Sequence, residues 1–95
     1  PQVKNNHKII DNINGPWPIL LGLNEVEIKS DDKINTILTA NIDSKEYPLL
    51  VVSEKLPGKT AVWTSDVGPH WLPNNFVEWP GYKKLWNNLF NWLTE

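Results

Sequence analysis

The sequence predicts an α/β fold in which several strands, including a β-hairpin over about residues 47–66, precede an amphipathic helix over about residues 80–94. Two observations predict it: apolar runs rich in β-branched residues, and a final segment with apolar side chains at helical spacing. The 95 residues fit one small domain, which buries about 60% of the surface its unfolded chain exposes. Because the chain begins at Pro1 and contains no methionine, we expect residues 1–95 to be a partial domain, the C-terminal segment of a larger one.

The first half of the chain contains two segments that favour strands. Apolar and polar residues nearly alternate from Leu23 to Ser30, and Ile34 to Ala40 is rich in β-branched residues. Residues 41–46, polar except for Ile42, predict a turn after the second strand. Residues 1–18 are broken by Asn, Gly and Pro, which predicts a connection with one short strand around Ile9.

The predicted hairpin has arms at Pro48–Ser53 and Thr60–Thr64. Pro57 and Gly58 suit the two corners of a type II turn, because proline presets φ and glycine accepts a positive φ. The first arm is apolar almost without alternation, which indicates a strand covered on both faces.

The last segment, Pro80–Leu93, predicts the amphipathic helix. Phe90 and Trp92 widen its apolar face, and we expect the Trp79–Pro80 peptide bond to be cis. The main apolar stripe consists of Tyr82, Leu85, Trp86, Leu89 and Leu93.

Composition excludes several classes of partner and site. The net charge is −2 and all nine basic residues are lysines, so we expect no nucleic-acid partner. There is no cysteine, and His7 and His70 have no metal-ligand spacing, so we predict no metal and no cofactor. No apolar run reaches the length that crosses a bilayer, so we expect a soluble, cytoplasmic protein without a membrane partner.

The loop that follows the hairpin is the strongest candidate site, because α/β proteins place sites at the carboxyl ends of strands. Asp66 is able to orient His70 as a general base, and Ser65 is able to donate to a developing anion. The structural alternative is that Ser65 and Asp66 bond to the backbone of the turn and that His70 is packed.

Six tryptophans suggest a second class of function, since indole faces stack on sugar rings. Trp71 and Trp79 lie in the same loop and are the candidates for binding a sugar. The alternative is packing, which we expect for most tryptophans of the chain.

The sequence resembles the C-terminal end of glutamine-amidotransferase-like proteins, which are related to the trehalose-utilisation proteins. Upstream, His7-Lys8-Ile9-Ile10 resembles the family's His-Pro-Ile element, with Lys8 in place of proline, and Gly22-Leu23-Asn24 resembles its Gly-Tyr-Asn. The stronger part of the resemblance comprises Gly58-Lys59, Trp63-Thr64-Ser65-Asp66, Pro69-His70-Trp71, Phe76, Trp79, Gly81-Tyr82, Leu85-Trp86 and Trp92-Leu93.

The resemblance implies a flavodoxin-like fold of the class I glutamine amidotransferase type, whose nucleophile is a cysteine on an elbow upstream of this segment. This chain lacks that cysteine and the His-x-Glu pair of true amidotransferases, so we expect no catalysis by the segment alone. His70 with Asp66 is the nearest match to the retained catalytic pair. His7 is a weaker candidate for binding substrate.

Three functions follow from these observations. The first is a glutamine-amidotransferase-like or hydrolase domain that is active only if the rest of the domain supplies a nucleophile. The second is a carbohydrate-related binding module, and the third is a non-catalytic domain that serves assembly. The expected partners are the N-terminal part of the same domain, a small-molecule ligand and a second copy in a homo-oligomer.

Overall fold

The computed structural model describes residues 1–24, 26, 33–54, 58–65 and 72–95, which form a mixed α/β unit. This confirms the predicted fold class. Its elements are β1 (Gln2–Val3), a 3₁₀ helix (Lys8–Ile10), β2 (Ile34–Ile42), β3 (Lys45–Ser53), β4 (Thr60–Trp63), α1 (Asn74–Val77) and α2 (Pro80–Leu93).

The four described strands form one sheet in the order β1-β2-β3-β4, and every neighbouring pair is antiparallel. β2 and β3 are joined by a two-residue turn, because Ile42 pairs with Lys45. Asp43 and Ser44 have φ of 51° and 67°, the left-handed values that a type I′ hairpin turn requires. The turn predicted over residues 41–46 is therefore shorter than expected, and both strands extend into that range.

Irregular pairing between β2 and β3 explains why adjacent residues are buried there. Thr36 pairs with Val51, whereas Leu38 pairs with Leu50 and Thr39 with Pro48, so Ile37 and Leu49 are extra residues in the ladder. Pro48 is tolerated because it sits at this irregularity and need not donate to the ladder. The buried apolar residues of the two strands are Ile37, Leu38, Ala40, Leu49, Leu50 and Val52.

The predicted hairpin is confirmed, since β3 and β4 pair antiparallel from Leu50–Trp63 to Ser53–Thr60. The connecting residues 55–57 lie outside the described part, and with them Pro57 of the predicted type II turn. The strand predicted from Leu23 to Ser30 also lies mostly outside the described residues.

The N-terminal segment differs from the prediction. Ile9 lies in the 3₁₀ helix rather than in a strand, and the short strand of this segment is Gln2–Val3. A 3₁₀ turn allows Ile9 to reach the core, where it is fully buried, while flanking Lys8 stays exposed. After β1 the backbone N–H of Lys4 donates to the Ile37 carbonyl at 2.8 Å, at the irregular point of β2.

Helix α2 covers one face of the sheet and matches the predicted bounds. Pro80 is its first residue, a position where proline's missing N–H costs nothing. The predicted cis bond at Trp79–Pro80 is wrong; in the described residues the cis peptide bond is Gly15–Pro16. Phe90 is 61% exposed, so it does not widen the buried face. The helix buries Gly81, Leu85, Leu89 and Trp92.

Truncating the buried face of α2 should destabilise the fold, and truncating its exposed face should not. Leu85 is 1% exposed, so Leu85→Ala should lower the free energy of unfolding by about 2–5 kcal/mol. Phe90→Ala on the same helix is the control and should change it by about 0.5 kcal/mol or less. Urea unfolding followed by circular dichroism measures both, and equal losses would contradict the assigned helix face.

Candidate functional site

The end of β4 is fixed to its neighbours on both sides, immediately before the loop predicted to carry the site. Thr64 is 2% exposed; its backbone N–H donates to the Leu49 carbonyl at 2.9 Å and its hydroxyl to the Pro48 carbonyl at 2.8 Å. The Thr64 carbonyl accepts from the Asn24 backbone N–H at 2.7 Å. These bonds hold the chain rigidly up to residue 65.

Ser65 joins the same arrangement through its side chain. Its hydroxyl donates to the Gly22 carbonyl at 2.6 Å. The two sequence elements Gly22-Leu23-Asn24 and Trp63-Thr64-Ser65 therefore lie side by side, although about forty residues separate them in the chain. The Ser65 proton is used in this bond, so donation to a developing anion stays a prediction that would require the bond to break.

The remaining residues of the predicted loop site are Asp66, His70 and Trp71. All three lie outside the described residues. Their roles as base, orienting carboxylate and stacking surface stay predictions.

Trp79 lies at the same end of the molecule, in an aromatic cluster. Its ring is 4.8 Å from that of Trp17 and 6.0 Å from that of Phe76, measured between centroids. A Cβ atom added to Gly81 would lie 2.5 Å from the Trp79 ring, so the ring rests directly on the helix backbone. These contacts correspond to the packing alternative, and stacking of Trp79 on a sugar stays a prediction.

His7 begins the 3₁₀ helix instead of lining the strand-end crevice. Its Nδ1 accepts the backbone N–H of Ile9 at 3.1 Å, and its ring meets the Trp92 ring edge-on at 5.0 Å. Burial lowers the pKa of His7 below its usual value, and the negative charge of Glu54 acts in the opposite direction without offsetting it. The imidazole is therefore neutral at pH 7, and with Nδ1 accepting, Nε2 carries the proton and acts as a donor.

His7 also lines a cavity of about 510 Å³ at the hairpin end of the sheet. Val52 of β3 lines this cavity, whereas Pro48, four residues earlier in the same strand, accepts a hydrogen bond from Thr64. The cavity and the Thr64–Ser65 site are therefore about 13 Å apart along β3. The structure thus places Ser65 and Trp79 at one end of the sheet and His7 at the other. The cavity is lined by His7, Lys33, Ile34, Asn35, Val52 and Glu54.

Sequence reasoning missed the polar residues of this cavity, Lys33, Asn35 and Glu54. They meet because the start of β2 pairs with the end of β3, with Ile34 opposite Ser53. Strand register is a long-range property, and no local pattern in the sequence indicates it. Among the described residues, no group of three or more acidic or histidine side chains is arranged to hold a metal ion.

Gly81 should be essential for the position of Trp79. Alanine usually favours a helix over glycine, but here the Cβ would meet an indole already held by Trp17, so Gly81→Ala should lower the free energy of unfolding by about 1–3 kcal/mol. Gly58→Ala is the matched control, because its Cβ would have no heavy atom within 4 Å. Denaturant titration of both variants measures the free energy of unfolding. If Gly81→Ala were more stable than the unchanged chain, the Trp79 ring would have moved away from the helix without cost.

The lowered pKa of His7 should make stability depend on pH. As the pH falls below about 6.5, the unfolded chain takes up a proton before the folded protein does, so the free energy of unfolding should decrease until the folded pKa is passed. Protonation also removes the acceptor for the Ile9 N–H. In His7→Asn the side chain still offers an acceptor to cap the helix, but it does not bind a proton in this pH range. The decrease in the free energy of unfolding between about pH 7 and 5.5 should therefore be smaller in this variant. An unchanged slope in that variant would exclude His7 as its cause.

Comparison with known proteins identifies the family of this chain. Over residues 1–95 the chain matches the family described as "Putative glutamine amidotransferase", GATase1-like. No curated protein matches it. The solved structure titled cytoplasmic protein STM3548, from Salmonella typhimurium, is 34% identical with a TM-score of 0.74; the match covers 92% of this chain and 32% of that one.

The chain therefore spans about a third of the length of the solved structure it matches. Within the described residues, neither helix has the length and apolar character needed to cross a membrane. The family match extends over every element described above, from β1 to α2. The chain belongs to the glutamine-amidotransferase-like family.

Proposed function

We propose that this chain is the C-terminal segment of a glutamine-amidotransferase-like protein and forms one wall of its amide-binding site. The supporting observation is the bonded pair of Gly22–Asn24 with Thr64–Ser65. This pair holds the carboxyl end of β4 immediately before Asp66 and His70. A base and its orienting group require such rigid support to keep their geometry.

The chemistry divides between this segment and the rest of the protein. Amide hydrolysis through a covalent intermediate needs a nucleophile, a general base and donors for the oxyanion. The chain contains no cysteine, so the nucleophile comes from elsewhere in the protein, and the segment alone is inactive. In this proposal His70 is the base and Asp66 orients it.

Helix α2 begins at the end of the sheet where β4 ends, which is the end that carries the proposed site. Trp86 contacts Trp63 on β4, and Trp92 contacts Lys59 just before β4, so α2 runs antiparallel to β4. The N-terminus of α2 and the end of β4 are thus at the same end of the sheet. The packed rings of Trp79 and Trp17 add an apolar surface at that end.

The other functions receive less support. Binding of a sugar by Trp79 would require its ring to leave Trp17 and the backbone at Gly81. His7 is far from the strand-end crevice, so a substrate contact from it would belong to a separate pocket. We also propose a cytoplasmic location, since the matched structure is titled a cytoplasmic protein.

Ammonia release from glutamine tests the proposal. The chain should release none alone. It should release ammonia when mixed with the polypeptide of the Salmonella typhimurium protein that lies outside the matched region. Asp66→Asn should lower the rate of the mixture by about a hundredfold or more, the size expected when a base is misplaced. Asp11→Asn, a matched change on an exposed residue, should leave it unchanged.

Release of ammonia by the chain alone would contradict the assignment of the nucleophile. Equal rates for the Asp66 and Asp11 variants would contradict the catalytic role of the loop. Absence of ammonia from the mixture, once the two polypeptides are shown to associate, would remove the amidotransferase-like activity.

A further inference from the structure

The loop that precedes Trp17 contains the sequence's one Asn-Gly pair, Asn14-Gly15. Both residues are exposed, and neither belongs to a helix or a strand. Within the described part of the chain, no hydrogen bond involves the Gly15 N–H or the Asn14 side chain. A backbone nitrogen and the carboxamide of the residue before it are therefore both open to solvent.

These two groups are able to react with each other, and glycine favours the reaction because it has no Cβ to obstruct the approach. The Gly15 nitrogen attacks Cγ of Asn14, and the new N–Cγ bond closes a five-membered succinimide ring. The Cγ–Nδ2 bond breaks, and Nδ2 leaves as ammonia with the proton lost from the Gly15 N–H. Water then adds to either carbonyl carbon of the ring nitrogen and breaks its C–N bond, which leaves aspartate or isoaspartate at position 14.

Secondary structure protects most of the other asparagines of the chain from the same reaction. In a regular helix or strand, the backbone dihedral angles hold the next nitrogen away from the side-chain carbon. Strand β2 and helices α1 and α2 contain Asn35, Asn41, Asn74, Asn75, Asn87, Asn88 and Asn91.

The four asparagines outside these elements, apart from Asn14, precede residues that carry a side chain. For Asn12 the next nitrogen is also occupied, because the Ile13 N–H donates to the Ile10 carbonyl at 3.3 Å. Asn14 thus differs from all the others in combining an exposed loop with a following glycine. The four are Asn5, Asn6, Asn12 and Asn24.

We propose that Asn14 is a deamidation site, which the folded chain converts to isoaspartate and aspartate in preference to its other asparagines. The reaction consumes water and releases one ammonia from each chain. It needs no catalytic group, so this inference is independent of the proposed function.

Conversion alters a loop that is anchored on both sides. Ile13 and Trp17 pack against the core, and Lys84 donates to the Asn12 carbonyl at 3.3 Å. Isoaspartate places one additional backbone atom between these anchors, and either product adds a negative charge to the net charge of −2. The change therefore acts on the contact of Trp17 with Trp79, whose ring centroids are 4.8 Å apart.

Mass spectrometry of the aged chain tests the proposal. The purified chain is incubated at neutral and at mildly alkaline pH and is then digested in acid, which stops the reaction. Fragment spectra should show a gain of one mass unit at Asn14, with isoaspartate as the larger product. The rate should rise with pH, because the attacking nitrogen must lose its proton. Asn12 and Asn24 should convert at least tenfold more slowly.

Gly15→Ala is the variant that isolates the cause and should slow the conversion of Asn14 at least tenfold. Gly15 does not have a positive φ, and an added Cβ would lie 3.7 Å from the Trp17 backbone nitrogen, an ordinary contact, so the variant should fold. Gly58→Ala is the matched control at another exposed glycine, and it should leave the rate at Asn14 unchanged.

Three results would overturn the inference: an unchanged mass at Asn14 in the folded chain while a peptide of residues 10–18 converts, equal rates in Gly15→Ala and the unchanged chain, or equal conversion at Asn12. Circular dichroism must show that Gly15→Ala is folded, and the comparison with Asn12 decides if it is not. Ammonia from Asn14 stops at one equivalent per chain and forms without glutamine. Failure of glutamine turnover would therefore leave the deamidation site standing, and an unreactive Asn14 would leave the proposed function standing.

Discussion

The indole of Trp92 is the contact on which the arrangement of the described elements depends. It is 2% exposed, His7 meets its edge at 5.0 Å, and the Lys59 ammonium lies 5.1 Å from its ring centroid. Lys59 also donates to the Trp92 carbonyl at 3.0 Å. One aromatic side chain thereby links helix α2, the N-terminal 3₁₀ helix and the hairpin, three regions distant in sequence. Nearby, Lys8 donates to Glu95 at 2.8 Å and lowers the pKa of that carboxyl group, but this exposed pair adds little to stability.

The contacts of Trp92 at the C-terminal end of α2 also determine where the N-terminal end of the helix lies. Because the helix runs antiparallel to β4, anchoring Trp92 beside Lys59 brings Trp79 and Pro80 back to the carboxyl end of β4. That is where Ser65 binds the Gly22 carbonyl and the loop with Asp66 and His70 begins. Contacts at the Trp92 end pack the helix on the sheet, and the candidate site residues of the proposed function follow the opposite end.

Strand β4 contributes no buried side chain to the core, unlike β2 and β3. Where the pairing of β2 with β3 is irregular, consecutive residues such as Leu49 and Leu50 are both buried and belong to one hydrophobic cluster. On β4 Val62 is exposed, and on α2 Phe90 is exposed; the buried indole Nε1 of Trp86 has no hydrogen-bond partner in the described part of the chain. The core of the segment is therefore centred on β2, β3 and α2.

The sequence by itself determined the α/β class, the β3–β4 hairpin, the bounds of α2 and the family, because periodicity, turn residues and motifs are local signals. It failed where the outcome depended on contacts between distant residues. Ile9 adopts a 3₁₀ turn because the core at Trp92 receives it, and Phe90 stays exposed because the sheet meets the Leu85–Leu89 face of the helix. Only the tertiary structure separated His7 from Ser65 and joined Gly22 to Ser65, since strand register and helix direction are set by packing rather than by neighbouring residues.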